Sequence, residues 1–353
     1  MRVALAYTGG TIGSIGQPLD PMPAPRFRDW WARAVAPGLP GIDCVWAEFE
    51  PPLDSSQAEP ADWVRLARTV LHAAAAGARA VVVLHGTDTM ASSAAALGYL
   101  TTLIDDTGAP VGRLDVPVIL TGAQRPLFGD DGAIRPGSDA PANVRDALAA
   151  AATAGPGVHL VFAGRRLPGP RALKVSVLDD RAFDCPNGLG AQPALPPARP
   201  AALIAQLEAL APALGRRAVL ALGPAPNPAA SFAAMLAGAL TALGDDLAGL
   251  LLLGYGTGNL PATRQIAPLL RAAHDRGVLL AIGTQVPAGA VAPGIYGAGA
   301  WLDAAGVLAT GDMTMPAAQA KLHLAAALAA TRGWPPAQAG AFFLRPIAGE
   351  RSG

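Results

Sequence analysis

The chain has 353 residues, 52% of them hydrophobic and 15% charged, with 26 Lys and Arg against 26 Asp and Glu. That composition supplies a core and excludes disorder for most of the length, and roughly 150 residues per domain gives an expectation of two domains. The balanced charge gives no reason to expect nucleic acid or an anionic membrane as partner. Two cysteines, Cys44 and Cys185, offer no disulfide framework and suit a reducing compartment. The amino terminus enters a strand at once, without a long apolar leader. No apolar run approaches the about 20 residues that a bilayer needs. A soluble cytoplasmic protein is the expectation.

In chain order, Val3 to Tyr7 reads as a strand that breaks at the glycine turn Thr8-Gly9-Gly10-Thr11-Ile12-Gly13. Glycine there permits positive φ and close approach of a ligand to the backbone. Ser14 to Phe27, rich in proline and glycine, reads as a surface loop and lid. Asp29 to Ala36 is a short helix candidate, and Cys44 to Phe49 a second strand ending in Asp54-Ser55-Ser56-Gln57. Glu59-Pro60-Ala61-Asp62 opens a helix with proline and acids in its first turn. Trp63, Leu66, Ala67, Val70 and Leu71 continue it at helical spacing.

The apolar run Val81-Val82-Val83-Leu84 predicts a strand buried on both faces of a parallel sheet, leading into His85-Gly86-Thr87-Asp88-Thr89-Met90. A helix to about Leu103 follows, then a strand from Val116 to Thr121 that ends in Gly122-Ala123-Gln124-Arg125-Pro126. Ser138 to Asn143 starts an Ala-rich helix, and Val158 to Ala163 is a further strand. Strands alternating with helices predict doubly wound α/β architecture. The expected layout is a larger, mostly parallel amino-terminal domain at 1–191, a Pro/Ala-rich linker at 192–217, and a smaller parallel domain at 218–353. In the second domain the strands are Ala218 to Leu222, Leu247 to Leu253 and Val278 to Thr284. Helices are expected near Ser231 to Leu243, Arg264 to His274 and Met315 to Thr331.

Thr87 and Asp88 fall at the carboxyl edge of a central strand, where open α/β sheets bind ligands. A threonine hydroxyl needs a base or a positive field, and donors for the oxyanion that forms on attack at a carbonyl. Gly10-Thr11 and Gly86-Thr87 each offer a hydroxyl among small neighbours whose backbone N–H groups suit that purpose. Thr and Asp also commonly cap a following helix, so the pair alone does not prove catalysis. The glycine turn matches neither dinucleotide nor P-loop spacing. Lys174, one of few lysines, has apolar neighbours: partly buried it can serve proton transfer, and otherwise it is a solvated surface residue. Ser55 and Ser56 suit a carboxylate or a plain turn. The five histidines lack metal-ligand spacing, and His85 reads as a packed core residue.

The order of these segments resembles the bacterial L-asparaginase family. The resemblance is carried by Tyr7 to Gly13, Asp54-Ser55-Ser56, His85 to Met90 and Thr121 to Pro126. Asp139 to Asn143, Lys174 with Cys185-Pro186-Asn187, Gly256 to Asn259 and Gly311 to Thr314 extend it over both domains. The opening and the missing leader look like the cytoplasmic, type I branch. The resemblance implies hydrolysis of L-asparagine to L-aspartate and ammonia through an acyl-enzyme, with no metal or organic cofactor. It implies Thr11 as attacking hydroxyl and a Thr87-Asp88-Lys174 triad. Ser56 would hold the substrate carboxylate, Gln57 and Asp88 its amino group, and Gly10, Ser55 and Ala123 would complete the pocket. It also implies a homodimer or homotetramer, with Asn259 reaching the site of a neighbouring subunit.

Three features depart from the family. Its mobile loop after the first threonine brings a tyrosine, yet Ser14 to Phe27 has none, and Tyr7, Tyr99, Tyr255 and Tyr296 lie elsewhere. No acid follows Thr284-Gln285 until Asp303, where the exported branch carries one. Val286 stands where some cytoplasmic members use an effector-site cysteine. Two alternatives stand beside the hydrolase: a catalytically silent aspartate-binding relative, which the missing loop tyrosine suggests, and a nucleotide-binding oxidoreductase, for which Asp29 lies near the required spacing after the glycine turn but on a helix candidate and not at a strand end. The related amidase subunit of a tRNA amidotransferase carries an extra amino-terminal domain not seen here.

Overall fold

The computed structural model describes residues 1–39, 41–47, 49–261, 264–292 and 301–352. They form two compact units, one of residues 1–103, 110–185 and 194–207, the other of residues 104–109, 186–193 and 208–353. The expected two-domain α/β architecture with mainly parallel sheets is present.

The first unit is built on strands β1 (Arg2–Tyr7), β2 (Asp43–Ala47), β3 (Ala80–Leu84), β4 (Pro117–Thr121), β5 (Gly157–Phe162) and β6 (Arg165–Pro168). Their order across the sheet is β6-β5-β4-β3-β1-β2. All neighbours are parallel except β6, which turns back on β5. The valine run of β3 is buried throughout, because its neighbours and the helices on both faces leave no side to water. The order reverses beside β1: the chain goes outward to β2, then crosses back over β1 to β3. Such a reversal opens a crevice at the carboxyl ends of β1 and β3, the place where open sheets take ligands.

Helices α1 (Ala24–Ala34), α2 (Pro60–Ala75), α3 (Met90–Leu100) and α4 (Ala140–Thr153) flank this sheet. Helix α1 starts five residues earlier than the expected Asp29, so the segment after Thr11 is not a free loop. It contains a small hairpin, Ser14–Ile15 paired with Asp20–Pro21, and then the helix. Pro25, one of the prolines that make Ser14 to Phe27 read as a loop, sits in the first turn where its missing N–H costs nothing. No side chain caps α1, and 11 residues alone are marginal as a helix. Burial of Phe27, Trp30 and Trp31 in the core against Val3, Leu5 and Tyr7 compensates. At about 1.5–3 kcal/mol for each large apolar side chain, packing outweighs any cap. Helix α2 follows its expected start, with the Glu59 N–H donating to the Asp62 carboxylate at 3.0 Å.

Residues 192–217, expected as a linker, carry helix α5 (Pro200–Leu210) and a short strand, Pro197–Ala198, pairing in parallel with Arg113–Leu114. Leu203, Leu207 and Leu210 are buried, a spacing of four and three that marks one helical face. The prolines mask that period.

The second unit holds a parallel sheet of β7 (Ala218–Leu222), β8 (Leu247–Gly254), β9 (Leu279–Thr284) and β10 (Leu308–Ala309), in that order. Its helices are α6 (Ala229–Leu243), α7 (Ile266–Asp275), α8 (Met315–Arg332) and α9 (Pro336–Leu344). No helix among the described residues is long and apolar enough to cross a membrane. Helix α8 is buried along most of its length and carries two ionisable groups inside. The Lys321 ammonium and the Glu350 carboxylate are an ion pair with neither side chain exposed. His323 is also buried, which lowers its pKa from 6.5 to about 4.

The folded state therefore holds His323 neutral at pH values where the unfolded chain protonates it. Its contribution is fully present above pH 6.5 and is lost as the pH falls toward about 4. The loss across that window amounts to roughly 3 kcal/mol at 1.36 kcal/mol per pH unit. His323→Leu is expected to flatten the decline of urea midpoints between these pH values. An unchanged slope would remove His323 as its source.

Candidate active site

The carboxyl ends of β1 and β3 are stitched together by the backbone. The Thr8 N–H and hydroxyl both donate to Leu84 O, at 2.9 and 3.0 Å. On the other side, the Leu53 N–H donates to Thr8 O at 2.7 Å, drawing in the loop after β2. Gly10 has φ 76° and ψ −178°, a region essentially reserved for glycine. A Cβ there would collide with Gly86 Cα, and one on Gly86 would collide with Ser55 Oγ. Three chain segments thus meet with no room for a methyl group. Gly10→Ala is expected to cost at least ~1–3 kcal/mol from backbone strain alone, read as a lower urea midpoint; a midpoint equal to wild type would contradict this packing.

Thr11 follows directly, partly exposed at the start of a single 3-10 turn, Thr11–Gly13. The hairpin after it is held from below. The Tyr7 hydroxyl, under Gly13, donates toward Met22 O at 3.0 Å, and its ring stacks on Phe27 at 4.0 Å between centroids. Tyr7 is thereby buried in support of the turn, and burial raises its pKa above the usual phenol value. Tyr99 is buried in α3, Tyr255 lies in the second unit, and Tyr296 lies outside the described residues. The oxidoreductase alternative fails at this turn, because a hairpin follows the glycines and not the helix amino terminus that a pyrophosphate needs.

Thr87 and Asp88 sit in the turn between β3 and α3. The Lys174 ammonium donates to Thr87 Oγ1 at 3.0 Å and to Asp88 Oδ1 at 2.8 Å. Lys174 is no solvated surface lysine: its side chain is 19% exposed, while that of Asp88 is 59% exposed. Lys174 reaches this position from a two-residue strand, Leu173–Lys174, paired antiparallel with Phe183–Asp184. Beside them the ring nitrogen Nδ1 of buried His85 lies 2.7 Å from Gly86 O, so it carries the hydrogen. Burial lowers the His85 pKa, which leaves a neutral packed ring.

Ser55, Ser56 and Gln57 form one 3-10 turn, with Asp54 accepting the Ser56 N–H at 2.9 Å. Ser55 is buried and its carbonyl accepts from the Thr89 hydroxyl at 2.7 Å; Ser56 and Gln57 are exposed. Ala123 is buried in the turn after β4. Asn259 belongs to the second unit, in a tight turn after β8 where its N–H donates to Tyr255 O at 2.8 Å. Among the described residues no three His, Cys, Asp or Glu side chains cluster as metal ligands do.

Two residues important to the site escape a reading by motif role. Asp139 precedes α4 like an N-cap yet makes no side-chain cap. Its carboxylate instead accepts the N–H groups of Gln124 and Arg125, both at 2.9 Å. Asn143, 1% exposed, donates to Gly122 O at 3.0 Å and accepts the Ala163 N–H at 2.9 Å. Their signal is two polar residues four apart opening an Ala-rich helix, which places both on one face.

Residues 2–190 match the family described as asparaginase, N-terminal, and residues 229–335 the glutaminase/asparaginase C-terminal domain. The chain belongs to the asparaginase family. It is 31% identical to L-asparaginase 1 of Escherichia coli over 331 residues, covering 91% of this chain and 90% of that one. Its structure matches that of the thermostable L-asparaginase from Thermococcus kodakarensis with a TM-score of 0.78 and 26% identity over 100% of both chains. L-asparaginase I from Vibrio cholerae matches with a TM-score of 0.75 and 26% identity over 99% of both. As an asparaginase-family chain it is an amidohydrolase, and the threonine-nucleophile mechanism is consistent with that family.

Proposed function

We propose that this asparaginase-family chain hydrolyses L-asparagine to L-aspartate and ammonia at the β1–β3 crevice. The observation that carries the reading is the Lys174 ammonium seated between Thr87 Oγ1 and Asp88 Oδ1, at 3.0 and 2.8 Å, across 87 and 86 residues of sequence. A cation at that distance favours the anionic form of a hydroxyl and supplies the field a threonine needs.

In this proposal the Thr11 hydroxyl attacks the side-chain amide carbon. An O–C bond forms, the C–N bond breaks, and the hydroxyl proton leaves on ammonia, passed by the Thr87-Asp88-Lys174 group. Water then attacks the ester, returning a proton to Thr11 and freeing aspartate. Backbone N–H groups at Gly10-Thr11 and Gly86-Thr87 supply donors for the developing oxyanion, where donors contribute most, and Ala123 lines the pocket. Ser55 and Ser56 take the α-carboxylate, and Gln57 and the second Asp88 oxygen take the α-ammonium. Asn259 completes the pocket from a neighbouring subunit, which makes the working form a homodimer or homotetramer in the cytoplasm.

Ammonia release from asparagine tests it. Wild type is expected to release ammonia and aspartate in equal amounts, and Thr87→Ala to lose at least ~10²-fold in kcat, the scale of general acid–base assistance. Activity surviving Thr87→Ala would remove the role given to Thr87. A wild type that binds aspartate calorimetrically without releasing ammonia would instead be a silent relative, a reading favoured by the absence of a tyrosine from residues 14–27.

A further inference from the structure

Lys174 is carried by a hairpin whose strands are two residues long, too short to be stable by their own pairing. Its base is anchored in the core. Phe183, opposite Lys174 in the register, packs on Phe162 at 5.2 Å between ring centroids, and the Arg165 guanidinium donates to Asp184 at 2.6 Å. Its tip has no such anchor: Val177 and Leu178 are 74% and 92% exposed. Two polar ties hold the tip instead. Gln124 Nε2 donates to Asp179 O at 2.8 Å, and Arg125 Nη2 donates to Asp180 Oδ1 at 2.9 Å.

Both donors come from the turn after β4, and that turn is itself fixed. Asp139 accepts its Gln124 and Arg125 N–H groups, and Arg125 Nε donates to Gly137 O at 2.7 Å. The Gln124–Arg125 turn also contains Ala123, so one rigid element borders the crevice and grips the lysine hairpin.

We propose that Arg125 and Asp180 are positioning residues, which clamp the hairpin tip so that the Lys174 ammonium meets Thr87 and Asp88. The inference rests on the proposed amidohydrolase reading for its catalytic consequence, while the clamp itself is a property of the hairpin. The Arg125–Asp180 pair is exposed at 45% and 60%, and exposed pairs contribute little to stability. A loss of rate without a loss of stability is therefore its signature. A misplacement of about 1 Å in a reacting group can cost up to ~10²-fold in rate.

The test compares wild type with Asp180→Ala, Arg125→Ala, the double variant and Asp180→Glu. Asp180→Ala is expected to lower kcat for asparagine ~10-fold or more, with KM changed less than about twofold, since ground-state contacts are intact. Thermal unfolding should stay at the wild-type midpoint. The double variant should lose no more than the worse single one, as for residues acting as a unit, and Asp180→Glu should restore part of the rate. Hydrogen exchange should quicken over residues 175–182 and nowhere else. Wild-type kcat and wild-type exchange in Asp180→Ala would overturn the inference while leaving the asparaginase reading intact. If wild type releases no ammonia, that reading fails, and exchange over 175–182 alone decides whether the clamp exists.

Discussion

Lys174→Met is expected to lower kcat for asparagine at least ~10²-fold while leaving the protein folded. Methionine keeps an unbranched stem of similar length and removes only the ammonium. In wild type that ammonium gives one hydrogen to Thr87 Oγ1 and one to Asp88 Oδ1, so Thr87 Oγ1 accepts there and its own hydrogen points away from Nζ. Without the cation, the Thr87 hydroxyl loses both its orientation and the positive field that favours loss of its proton. The stability change is small because Asp88 is mostly exposed, and such pairs contribute about 0–1 kcal/mol. Lys174→Arg is expected to fail as well, since a planar fork cannot occupy the place of a compact ammonium. Ammonia release and calorimetric midpoints, taken on the same preparations, check both halves. Equal kcat in wild type and in Lys174→Met would make the ammonium dispensable and end the triad assignment.

Glu350→Ala is expected to produce the largest loss of stability, about 3–5 kcal/mol. The Lys321 ammonium and the Glu350 carboxylate meet with neither side chain exposed. Lys321 also donates to Arg345 O, and Glu350 accepts the Ile347 N–H at 3.1 Å and the Ala348 N–H at 2.8 Å. The carboxylate therefore folds residues 345–350 around itself and fastens them to α8. Burial pushes the Lys321 pKa down, and the adjoining carboxylate opposes that push. Removing the carboxylate leaves a buried cation uncompensated and two backbone N–H groups without their acceptor. The double variant Lys321→Met with Glu350→Leu should recover part of the charge penalty, because it leaves no unpaired buried charge. Urea unfolding of the three proteins measures the difference; a Glu350→Ala midpoint at the wild-type value would contradict the buried pair.

Much of the fold is legible in the residues. The all-apolar run at 81–84 reads as a strand covered on both faces, and its polar continuation places Thr87 and Asp88 at the sheet edge. Proline causes the main errors. Proline density makes 14–27 read as a loop and 192–217 as a linker, although Pro25 and Pro200 each lie in the first turn of a helix, where no hydrogen bond is lost. Buried aromatics hold the first of these helices and a leucine face the second, and neither effect is visible without knowing what lies opposite.

Short stretches of chain set the alternation of strands and helices, the glycine turns that end the strands, and the identities of the hydroxyls and charges offered there. These follow from local rules: side-chain period, backbone freedom and turn chemistry, each set within a few residues. Tertiary structure alone decided that Gly10 touches Gly86, that Lys174 lies beside Thr87, that Asp139 holds the turn after β4, and that Lys321 is paired with Glu350. Those partners stand up to 87 residues apart in the chain, and only the sheet order and the packing of its helices bring them within hydrogen-bonding reach.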